Sequence, residues 1–437
     1  MDFYYHSVKL DKTKCVGCTN CLKRCPTEAI RIRAGRARII EERCIDCGEC
    51  IRVCQHHAKV AVTNPLSVIQ RYRYRIALPA PTLYGQFKNL SGTLPVIKAL
   101  KLLGFDDVRE VARGADLATR AVADLLAQPD APRPLLSSAC PAVLRLIQIR
   151  FPGLLPNVLP VRSPMELAAT EARRDFCDRH GADHEEVGCF FITPCPAKMT
   201  AIVKPLGHEA SAVNGAISIV DLYGQLAGSM KGLTDQSSDD DKLATAAGVG
   251  WACSGGEALA AGAEDALAVD GIDNVIRVLE AIEDGQLPEL RYFEGLACTG
   301  GCVGGPLVFE NAYIARNRIK KLVEGMQKRG PGVGARPADL EALKGALSLD
   351  RPIEPLRVMQ LGEDIEQALK KLDLIEEIVK KLPGLDCGSC GSPTCRALAE
   401  DVADGYAREM DCLFLLKERV RLMAQQMVDL SETTREK

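Results

Sequence analysis

Cysteines set among glycines are the residues of this sequence with the clearest capacity for chemistry. In the stretch EGLACTGGCVGG, Cys298 and Cys302 are four residues apart and four glycines lie beside them. Glycine lacks a Cβ, so this backbone can approach an inorganic core closely, adopt positive φ and direct N–H groups toward it. Two thiolates held in this way predict a metal centre, although a tight turn with two buried cysteines has the same spacing.

Two cysteines upstream strengthen the metal-centre interpretation. Cys140 in SSACPAV and Cys195 in TPCPAK follow the predicted strands Leu135 to Ser138 and Val187 to Thr193, and a proline follows each cysteine. Proline fits the first position of a helix, whose N–H groups would then point toward an anionic cluster. We therefore predict that both cysteines lie at the carboxyl ends of strands, where open α/β sheets bind ligands.

Two runs of four cysteines occupy the first 60 residues, with the spacings C-x2-C-x2-C-x3-C-P and C-x2-C-x2-C-x3-C. In two-cluster ferredoxins the fourth cysteine of each run binds the other cluster. The spacing therefore predicts two [4Fe-4S] clusters, one on Cys15, Cys18, Cys21 and Cys54 and the other on Cys44, Cys47, Cys50 and Cys25. A zinc ribbon is the alternative, but its cysteine pairs are usually farther apart.

Basic residues are concentrated in the same N-terminal segment. Between the two runs, IRIRAGRARII alternates apolar and basic residues around Ala34-Gly35, which predicts a short β-hairpin. Residues 1–60 carry twelve Lys and Arg against seven Asp and Glu. This excess could steer a redox partner such as ferredoxin toward the segment, or it could form a solvated face through Arg31, Arg33, Arg36 and Arg38.

Length and composition limit the other classes of function. The chain has 437 residues, 47% hydrophobic and 26% charged, which is typical of a globular protein of two or three domains. It shows no long apolar run and no N-terminal apolar segment, so we expect no membrane association and a cytoplasmic location. A net charge of -3 argues against nucleic acid as a partner. Nineteen cysteines in a reducing compartment favour metal ligands over disulfides.

The fold class predicted for the whole chain is multidomain α/β. From about residue 75, apolar segments such as RYRIALPAPTL and VGCFFITPCPAK alternate with helical patterns. This alternation is typical of an α/β domain with a buried, largely parallel sheet. The ferredoxin-like segment before it and a small helical segment after it complete the predicted architecture.

The three motifs SSACPAV, TPCPAK and EGLACTGGCVGG, in this order, resemble the signature motifs of the [FeFe]-hydrogenase catalytic domain. The resemblance covers about residues 75–320. It implies an H-cluster, in which a [4Fe-4S] cluster is joined through the Cys302 sulfur to a two-iron subsite carrying CO, cyanide and an azadithiolate. The cluster ligands implied are Cys140, Cys195, Cys298 and Cys302. The activity implied is the reversible oxidation of H2 to protons and electrons.

The resemblance also assigns residues around the two-iron subsite. Lys198 would place an ammonium beside one cyanide, and in ALPAPT the loop of Pro81 and Thr82 would meet the other cyanide, with the threonine hydroxyl as donor. Trp251, the only tryptophan, stands where the family has an aromatic residue near the diiron site. The alternatives are a surface lysine at a helix start and a core aromatic.

A second resemblance concerns the C-terminal cysteines. LDCGSCGSPTC and a later cysteine resemble the small four-cysteine [4Fe-4S] domain of corrinoid iron–sulfur proteins, with Cys387, Cys390, Cys395 and Cys412 as the implied ligands. Zinc is the competing metal, because four thiolates suit either ion. Four [4Fe-4S] clusters would then use sixteen of the nineteen cysteines and leave Cys177, Cys189 and Cys253 free.

Several positions depart from the pattern of catalytic family members. Alanine replaces the cysteine that usually precedes the first ligand, two motif methionines and one glutamine are changed, and two glutamates after GADL are absent; these positions are Ala139, Thr193, Leu296, Met165, Ala121 and Val122. This pattern, with the C-terminal cysteines, resembles the sensory branch of the family, in a form without a PAS domain. A methyl group cannot relay protons, so we expect slow hydrogen turnover.

A substitute proton route is one hypothesis that these departures raise. Cys253 lies two residues after Trp251 in WACSGGE, and Glu257 follows one helical turn later. In the alternative interpretation Cys253 packs in the core and Glu257 caps a helix.

The predicted domain order runs from iron–sulfur clusters to a helical tail. The segments are 1–70 (two-cluster ferredoxin domain), 71–326 (H-cluster domain), 327–355 (linker), 356–412 (C-terminal [4Fe-4S] domain) and 413–437 (tail). Apolar tail residues are spaced 3, 4, 3, 4 and 3 apart, at Leu413, Leu416, Val420, Met423, Met427 and Leu430. This heptad seam predicts a homodimer, or else a helix that folds back on its own domain.

The sequence therefore predicts a hydrogenase-like iron–sulfur protein of low turnover that senses H2 or redox state. Its partners would be H2, protons, a redox partner and a signalling partner. Two other classes remain open, an electron-transfer protein and an iron–sulfur assembly protein, and in both the diiron subsite is absent.

Overall fold

The strands and helices follow the predicted order of a cysteine-rich start, a long α/β part and a helical end. The structure is a computed structural model that describes residues 5–233, 244–330, 334–358, 361–362 and 364–435. Its first part contains β1 (Val8–Leu10), α1 (Asn20–Lys23), β2 (Ile30–Arg33), β3 (Arg36–Ile39), α2 (Glu49–Arg52) and β4 (Lys59–Ala61). Strands β2 and β3 pair antiparallel around Ala34-Gly35, which confirms the predicted hairpin.

The α/β part alternates strands with helices as far as residue 296. Its elements up to the second cysteine motif are β5 (Tyr74–Pro79), α3 (Leu94–Leu102), β6 (Asp107–Val108), α4 (Val111–Leu126), β7 (Leu135–Leu136), α5 (Pro141–Arg150), α6 (Pro164–His180), β8 (Val187–Thr193) and α7 (Pro196–Val203). There follow β9 (Gly215–Ser218), α8 (Ile219–Ser229), α9 (Ala246–Gly250), α10 (Gly256–Ala261), β10 (Ala266–Asp270), α11 (Ile272–Glu283) and β11 (Tyr292–Leu296). This alternation confirms the predicted α/β class.

After β11, the regular elements of the described residues are all helices. They are α12 (Ala312–Arg329), α13 (Pro337–Ala342), α14 (Lys344–Leu347), α15 (Ile365–Lys381), α16 (Cys395–Ala403) and α17 (Leu413–Arg435). In the described residues no helix combines the length and the apolar content needed to cross a membrane.

Two parallel sheets position the cysteine motifs. One has the strand order β6-β5-β8-β9 and the other the order β10-β11-β7. All seven residues of β8 are buried, as expected for a parallel strand covered on both faces. The predicted strand Val187 to Thr193 is therefore confirmed residue for residue, whereas only Leu135–Leu136 of the other predicted strand pairs with a neighbour.

Helices α4 and α6 pack closely over the first sheet because small residues line their contact. A Cβ added at Gly114 of α4 would lie 2.0 Å from the carbonyl oxygen of Pro164, the first residue of α6. Buried arginines strengthen the same contact: Arg109 and Arg113 bind the two oxygens of Glu171 at 3.0 and 3.2 Å. The backbones of α4 and α6 are therefore in direct contact at Gly114, and the buried arginines are paired with a carboxylate.

The segment 327–355, predicted as a linker, contains helical residues. Helix α12 continues to Arg329, and the short helices α13 and α14 pack against the α/β part. Leu343 is 2% exposed, and Asp339 binds Arg113 at 2.7 Å. An apolar side chain and a carboxylate thus hold this segment on the domain, which the glycine- and proline-rich sequence at its start does not reveal.

The chain forms two compact units. The first combines 61–356 with Ile45–Gly48 and the residues up to Val8. The second combines Lys9–Cys44 and Glu49–Val60 with 357–437. The ferredoxin-like segment predicted as 1–70 is thus divided between the units, and most of it shares a unit with the C-terminal cysteines.

The contact of α4 with α6 generates a test of stability. Gly114→Ala should lower the free energy of unfolding by about 1–3 kcal/mol, because the added methyl group meets backbone that cannot move away. The measurement is thermal unfolding followed by circular dichroism. Gly224→Ala in α8 is the control, because no atom lies within 4 Å of its added Cβ, and it should stabilise the helix by up to about 1 kcal/mol. Equal effects of the two changes would contradict the close contact.

Candidate functional site

The structure brings the four cysteines of the three motifs together. Cys140 is the N-cap of α5 and Cys195 the N-cap of α7, and proline occupies the first turn of both helices. Cys298 follows β11, and Cys302 begins a short 3-10 turn. All four line one cavity with a volume of about 100 Å³. The parallel strands and their following helices thus place four sulfur ligands at one point, as expected at the carboxyl end of such a sheet.

Burial makes this group of thiols unfavourable as free thiolates. Burial, with the neighbouring Cys298 and Cys140, raises the pKa of the Cys195 thiol to about 12. The pKa of Cys302 is also raised well above its ordinary value, first by burial and then by the other three cysteines. A metal cluster replaces the protons of such thiols and compensates their charge. The donor set therefore suits an iron–sulfur cluster.

The glycines around Cys302 are needed for close backbone packing. Gly300 and Gly301 have φ of +80° and +94°, a conformation that favours glycine. A Cβ on Gly301 would lie 2.5 Å from the amide nitrogen of Ser254, and one on Gly304 would lie 2.1 Å from the carbonyl oxygen of Thr299. These contacts fold the loop against neighbouring backbone and hold Cys298 and Cys302 in the cavity wall.

A buried hydroxyl without a partner lies in the same cavity. Pro81 and Thr82 belong to a short 3-10 helix after β5, and both line the cavity. Thr82 is 0% exposed, and its Oγ1 has no hydrogen-bond partner among the described residues. A buried hydroxyl in this state costs about 1–3 kcal/mol. An acceptor on a bound group would remove that cost, so the residues present fit a ligand such as cyanide at this position.

Lys198 and Trp251 also line the cavity. The Lys198 ammonium donates a hydrogen bond to the Ala139 carbonyl oxygen at 3.0 Å, and its charge lowers the pKa of Cys195 and Cys302 against the larger effect of burial. The Trp251 indole N–H donates to Thr119 Oγ1 at 3.1 Å, which fixes the ring. Lys198 is therefore half-buried at the site, and Trp251 both packs in the core and borders the cavity.

Two carboxyl groups lie behind the cysteines, and one of them was missed by sequence reasoning. Glu257 lines the cavity and accepts a hydrogen bond from Ser137 Oγ at 2.5 Å. Burial and the nearby Glu294 raise the pKa of Glu257 well above its ordinary value. Glu294 accepts hydrogen bonds from the Gly255 and Ala258 amides, each at 2.9 Å. A glutamate inside the apolar strand YFEGL was the signal that could have found Glu294.

The structure separates the two members of the predicted substitute relay. Glu257 is in the wall of the cysteine cavity, whereas Cys253 lines a different cavity with Tyr313 and Arg316. Burial raises the pKa of the Cys253 thiol to about 11, with Arg316 opposing the shift. Only the carboxyl group is therefore placed to exchange a proton within the cysteine cavity.

The departures from the family pattern have distinct contacts. Thr193 Oγ1 donates to the Cys195 carbonyl at 2.9 Å and accepts from the Cys195 amide at 3.1 Å, so it fixes the turn that carries this cysteine. Ala139, Met165 and Leu296 contribute apolar surface to the cavity. The Val122 side chain is buried in apolar packing.

Cysteines in the second unit also gather. Cys54, Cys18 and Cys15 raise the pKa of Cys21, after the larger effect of burial, so the predicted first set lies together. Near the C-terminus, burial and then Cys387 and Cys412 raise the pKa of Cys390. Cys395 packs in one cluster with Cys390 and Cys412. Of the predicted second set, Cys25 and Cys50 share one packed cluster, while Cys47 lines the cavity of the first unit. That second set stays a prediction, and Cys177 and Cys189 are buried in the α/β core.

Comparison with known families agrees with this division. Residues 73–266 and 263–306 match the iron only hydrogenase large subunit, C-terminal domain. Residues 7–55 match a 4Fe-4S dicluster domain, and residues 382–414 match a putative Fe-S cluster family.

Three curated relatives are hydrogenases or hydrogenase subunits of low identity. Iron hydrogenase 1 of Clostridium pasteurianum is 26% identical over 227 residues, which cover 46% of this chain and 40% of the relative. The periplasmic [Fe] hydrogenase large subunit of Nitratidesulfovibrio vulgaris is 27% identical over 219 residues, 46% of this chain and 52% of the relative. The NADP-reducing hydrogenase subunit HndD of Solidesulfovibrio fructosivorans is 26% identical over 358 residues, 68% of this chain and 56% of the relative. The chain thus spans about half the length of the curated relatives it matches.

Solved structures share the fold. A variant of apo [FeFe]-hydrogenase HydA1 from Chlamydomonas reinhardtii has a TM-score of 0.52 at 15% identity, over 68% of this chain and 97% of that chain. A second HydA1 variant has a TM-score of 0.50 at 16% identity, over 66% and 95%. Because the hydrogenase family match covers more than half of the 437 residues, the chain belongs to the family of iron-only hydrogenase large subunits.

Proposed function

We propose that this protein binds and reversibly oxidises H2 at an H-cluster with low turnover, and that it serves as a sensor of H2 or of redox state. The observation that carries the proposal is one cavity lined by four motif cysteines, Lys198 and the unpartnered hydroxyl of Thr82. The same cavity has a methyl group at Ala139, where catalytic members have a cysteine. Its residues therefore support binding of the cofactor and weaken proton supply.

The cofactor would be held by residues with separate roles. Cys140, Cys195, Cys298 and Cys302 would bind a [4Fe-4S] cluster, and Cys302 would also bridge to the diiron subsite. That subsite supplies the activation of H2 when it is bound. Lys198 offers a positive charge and Thr82 a hydroxyl donor to anionic ligands. Pro81 and Trp251 shape the apolar wall that excludes water.

Glu257 is the group proposed to hold the exchangeable proton. Burial and the charge of Glu294 raise its pKa, so the carboxyl group keeps a proton at pH values where an exposed glutamate is ionised. A general acid or base works best with a pKa near the operating pH. The Ser137 hydroxyl, hydrogen-bonded to both Glu257 and the Ala139 amide, is the next group in the network. Cys253 lies outside this network and is proposed only to pack.

Electron-transfer and iron–sulfur assembly roles would not need the features at Thr82 and Lys198. Iron–sulfur clusters transfer electrons by themselves. The buried Thr82 hydroxyl, which has no hydrogen-bond partner in the part of the chain that the structure describes, would therefore have no use in an electron-transfer protein. We propose a redox partner such as ferredoxin and a signalling partner for the sensor, with no nucleic-acid or membrane partner and a cytoplasmic location.

The tail helix is proposed to join two copies of the chain. In α17, Leu416, Val420, Met423 and Met427 are 42%, 57%, 53% and 72% exposed, so the seam is not folded back on its own domain. In a parallel pair of helices, Arg419 would face Ala424 of the second copy, which brings no like charges together. Burial of this seam favours a dimer.

Infrared spectroscopy tests the cofactor. Protein maturated with the diiron subsite should show bands in the CO and cyanide stretching region, and Cys302→Ser should remove them while the N-terminal clusters keep their visible absorption. Thr82→Val should shift a cyanide band, because the hydroxyl donor is lost, and Thr82→Ser should preserve it. Absence of all bands after full maturation would favour the electron-transfer or assembly roles.

Turnover measurements test the proton supply. The parent should oxidise H2 and reduce protons slowly, and Ala139→Cys should raise both rates by about tenfold or more, because a titratable group returns to the cavity. Glu257→Gln should lower the parental rate by a similar factor, whereas Cys253→Ala, as the control, should leave it unchanged. A parent as fast as catalytic family members would contradict the sensory role.

Light scattering tests the tail. Truncation after Leu415 should convert a dimer into a monomer, and Met423→Glu with Met427→Glu should do the same without shortening the chain. Glu418→Ala with Arg421→Ala changes the outer face of the helix and should leave the dimer intact. An unchanged mass after truncation would disprove dimerisation through α17, and binding of the parent to a different protein would point to a signalling partner instead.

A further inference from the structure

The hairpin between the two N-terminal cysteine runs contacts the C-terminal cysteine loop inside the second unit. The Ile32 amide of β2 donates a hydrogen bond to the Gly391 carbonyl oxygen at 2.8 Å. The guanidinium of Arg33 donates to the same carbonyl at 2.9 Å and to Ser392 Oγ at 3.0 Å. Gly391 directly follows Cys390, so the contact reaches the loop that carries a predicted cluster ligand.

A buried carboxylate fastens this contact. Asp401 Oδ2 lies 2.6 Å from both Arg31 Nε and Arg33 Nη2, and it accepts a hydrogen bond from Ser392 Oγ at 2.8 Å. The Arg31 side chain is only 6% exposed. A buried guanidinium needs such a partner, since an unpaired charge in the interior is strongly unfavourable. These two arginines therefore belong to an internal interface, and the expected solvated face does not include them.

The cysteine loops themselves touch through α1. Lys23, between Cys21 and Cys25, donates hydrogen bonds to the Pro393 carbonyl at 3.0 Å and to the Asp386 carbonyl. A Cβ built on Gly388 would lie 3.2 Å from Leu22 Cδ2. Leu22 directly follows Cys21, and Gly388 directly follows Cys387. The two predicted ligand loops thus meet within one residue of a cysteine on each side.

We infer that the C-terminal site is a [4Fe-4S] cluster that exchanges single electrons directly with the first N-terminal cluster. Cys387, Cys390, Cys395 and Cys412 would hold one cluster, and Cys15, Cys18, Cys21 and Cys54 would hold the other. One electron would pass from the reduced cluster to the oxidised one, in either direction. No bond forms or breaks, and no proton is required. An external one-electron donor, such as the proposed redox partner, supplies the first electron.

This coupling gives the C-terminal domain a function. Its cluster would be the end of the relay that lies on the same small domain as α17, so the redox state of the N-terminal clusters would reach the proposed dimer helix. The inference rests on the iron–sulfur part of the proposed function and is independent of H2 chemistry. It can therefore be tested in protein that has not received the diiron subsite.

Electron paramagnetic resonance of the full chain is the first test. After stepwise reduction with dithionite, the signals of the C-terminal and first N-terminal clusters should be broadened by mutual magnetic interaction. Cys390→Ser identifies the C-terminal contribution, because it removes one ligand. N-terminal signals that are equally broad in the parent and in Cys390→Ser, or an iron content that Cys390→Ser leaves unchanged because the site holds zinc, would overturn the inference. Either result would leave the infrared bands of maturated protein unaffected.

Glycine substitutions provide a matched pair of variants. A Cβ at Gly391 would lie 2.1 Å from the Ile32 carbonyl oxygen, so Gly391→Ala should wedge the hairpin from the loop. Gly405 has a similar φ, +76° against +83°, but no atom lies within 4 Å of its added Cβ. Gly391→Ala should therefore lose the part of the broadening that Cys390→Ser also removes, with its iron retained, whereas Gly405→Ala should keep both. Full broadening in Gly391→Ala would overturn the direct contact.

A second pair decides the case in which Gly391→Ala loses iron. Asp401→Asn weakens the pairing with Arg31 and Arg33, while Asp404→Asn removes an ion pair with Lys371 inside the C-terminal domain. Reduced broadening in Asp401→Asn alone supports the coupling. Equal broadening in both variants with full iron content would overturn it. If Asp401→Asn also loses iron, the comparison of the parent with Cys390→Ser decides whether the two clusters are coupled.

Discussion

Four thiol groups enclosed in one small cavity are the constraint on which most of this structure depends. Burial raises the pKa of Cys195 and Cys302, so their thiolates need positive charge close by. Lys198 supplies part of it, and the N-terminal turns of α5 and α7 add the partial positive charge of their amides. A bound metal cluster would supply the rest. The parallel strands serve this requirement, because they deliver the cysteines to one edge.

Local sequence predicted the parts of the site that depend on local structure. Cys140 and Cys195 were placed at helix starts because a strand pattern precedes each and a proline follows, and the structure has both as N-caps. The fully buried strand Val187–Thr193 was equally visible, since seven consecutive residues with apolar character need two covered faces. Strand Leu135–Leu136 is shorter than predicted: the Ser137 amide still bonds to Phe293 of β11, but Ser138 is not part of the strand.

Contacts between distant residues could not be predicted in this way. Arg31 and Asp401 are 370 positions apart, and nothing in the hairpin sequence distinguishes this arginine from the others. Glu257 and Glu294 approach only because α10 packs beside β11. In the segment predicted as a linker, Leu343 and Asp339 contact residues of α4 that precede them by more than 200 positions. In each case the contact is stabilised by burial in the folded chain, and the hydrophobic periodicity of the sequence does not predict which distant residues are buried together.

The carboxyl pair beside the cysteines is the structural basis of the proposed slow turnover. Burial raises the pKa of Glu294, although the amides of Gly255 and Ala258 oppose the shift, and burial with the neighbouring Glu294 raises the pKa of Glu257. Both carboxyl groups line the cavity, so a proton held by this pair lies beside the cysteines. Glu257 and its hydrogen-bond partner Ser137 are only 4% and 3% exposed, so neither group meets solvent directly. Because both groups are buried, exchange of their proton with water depends on opening of the surrounding structure.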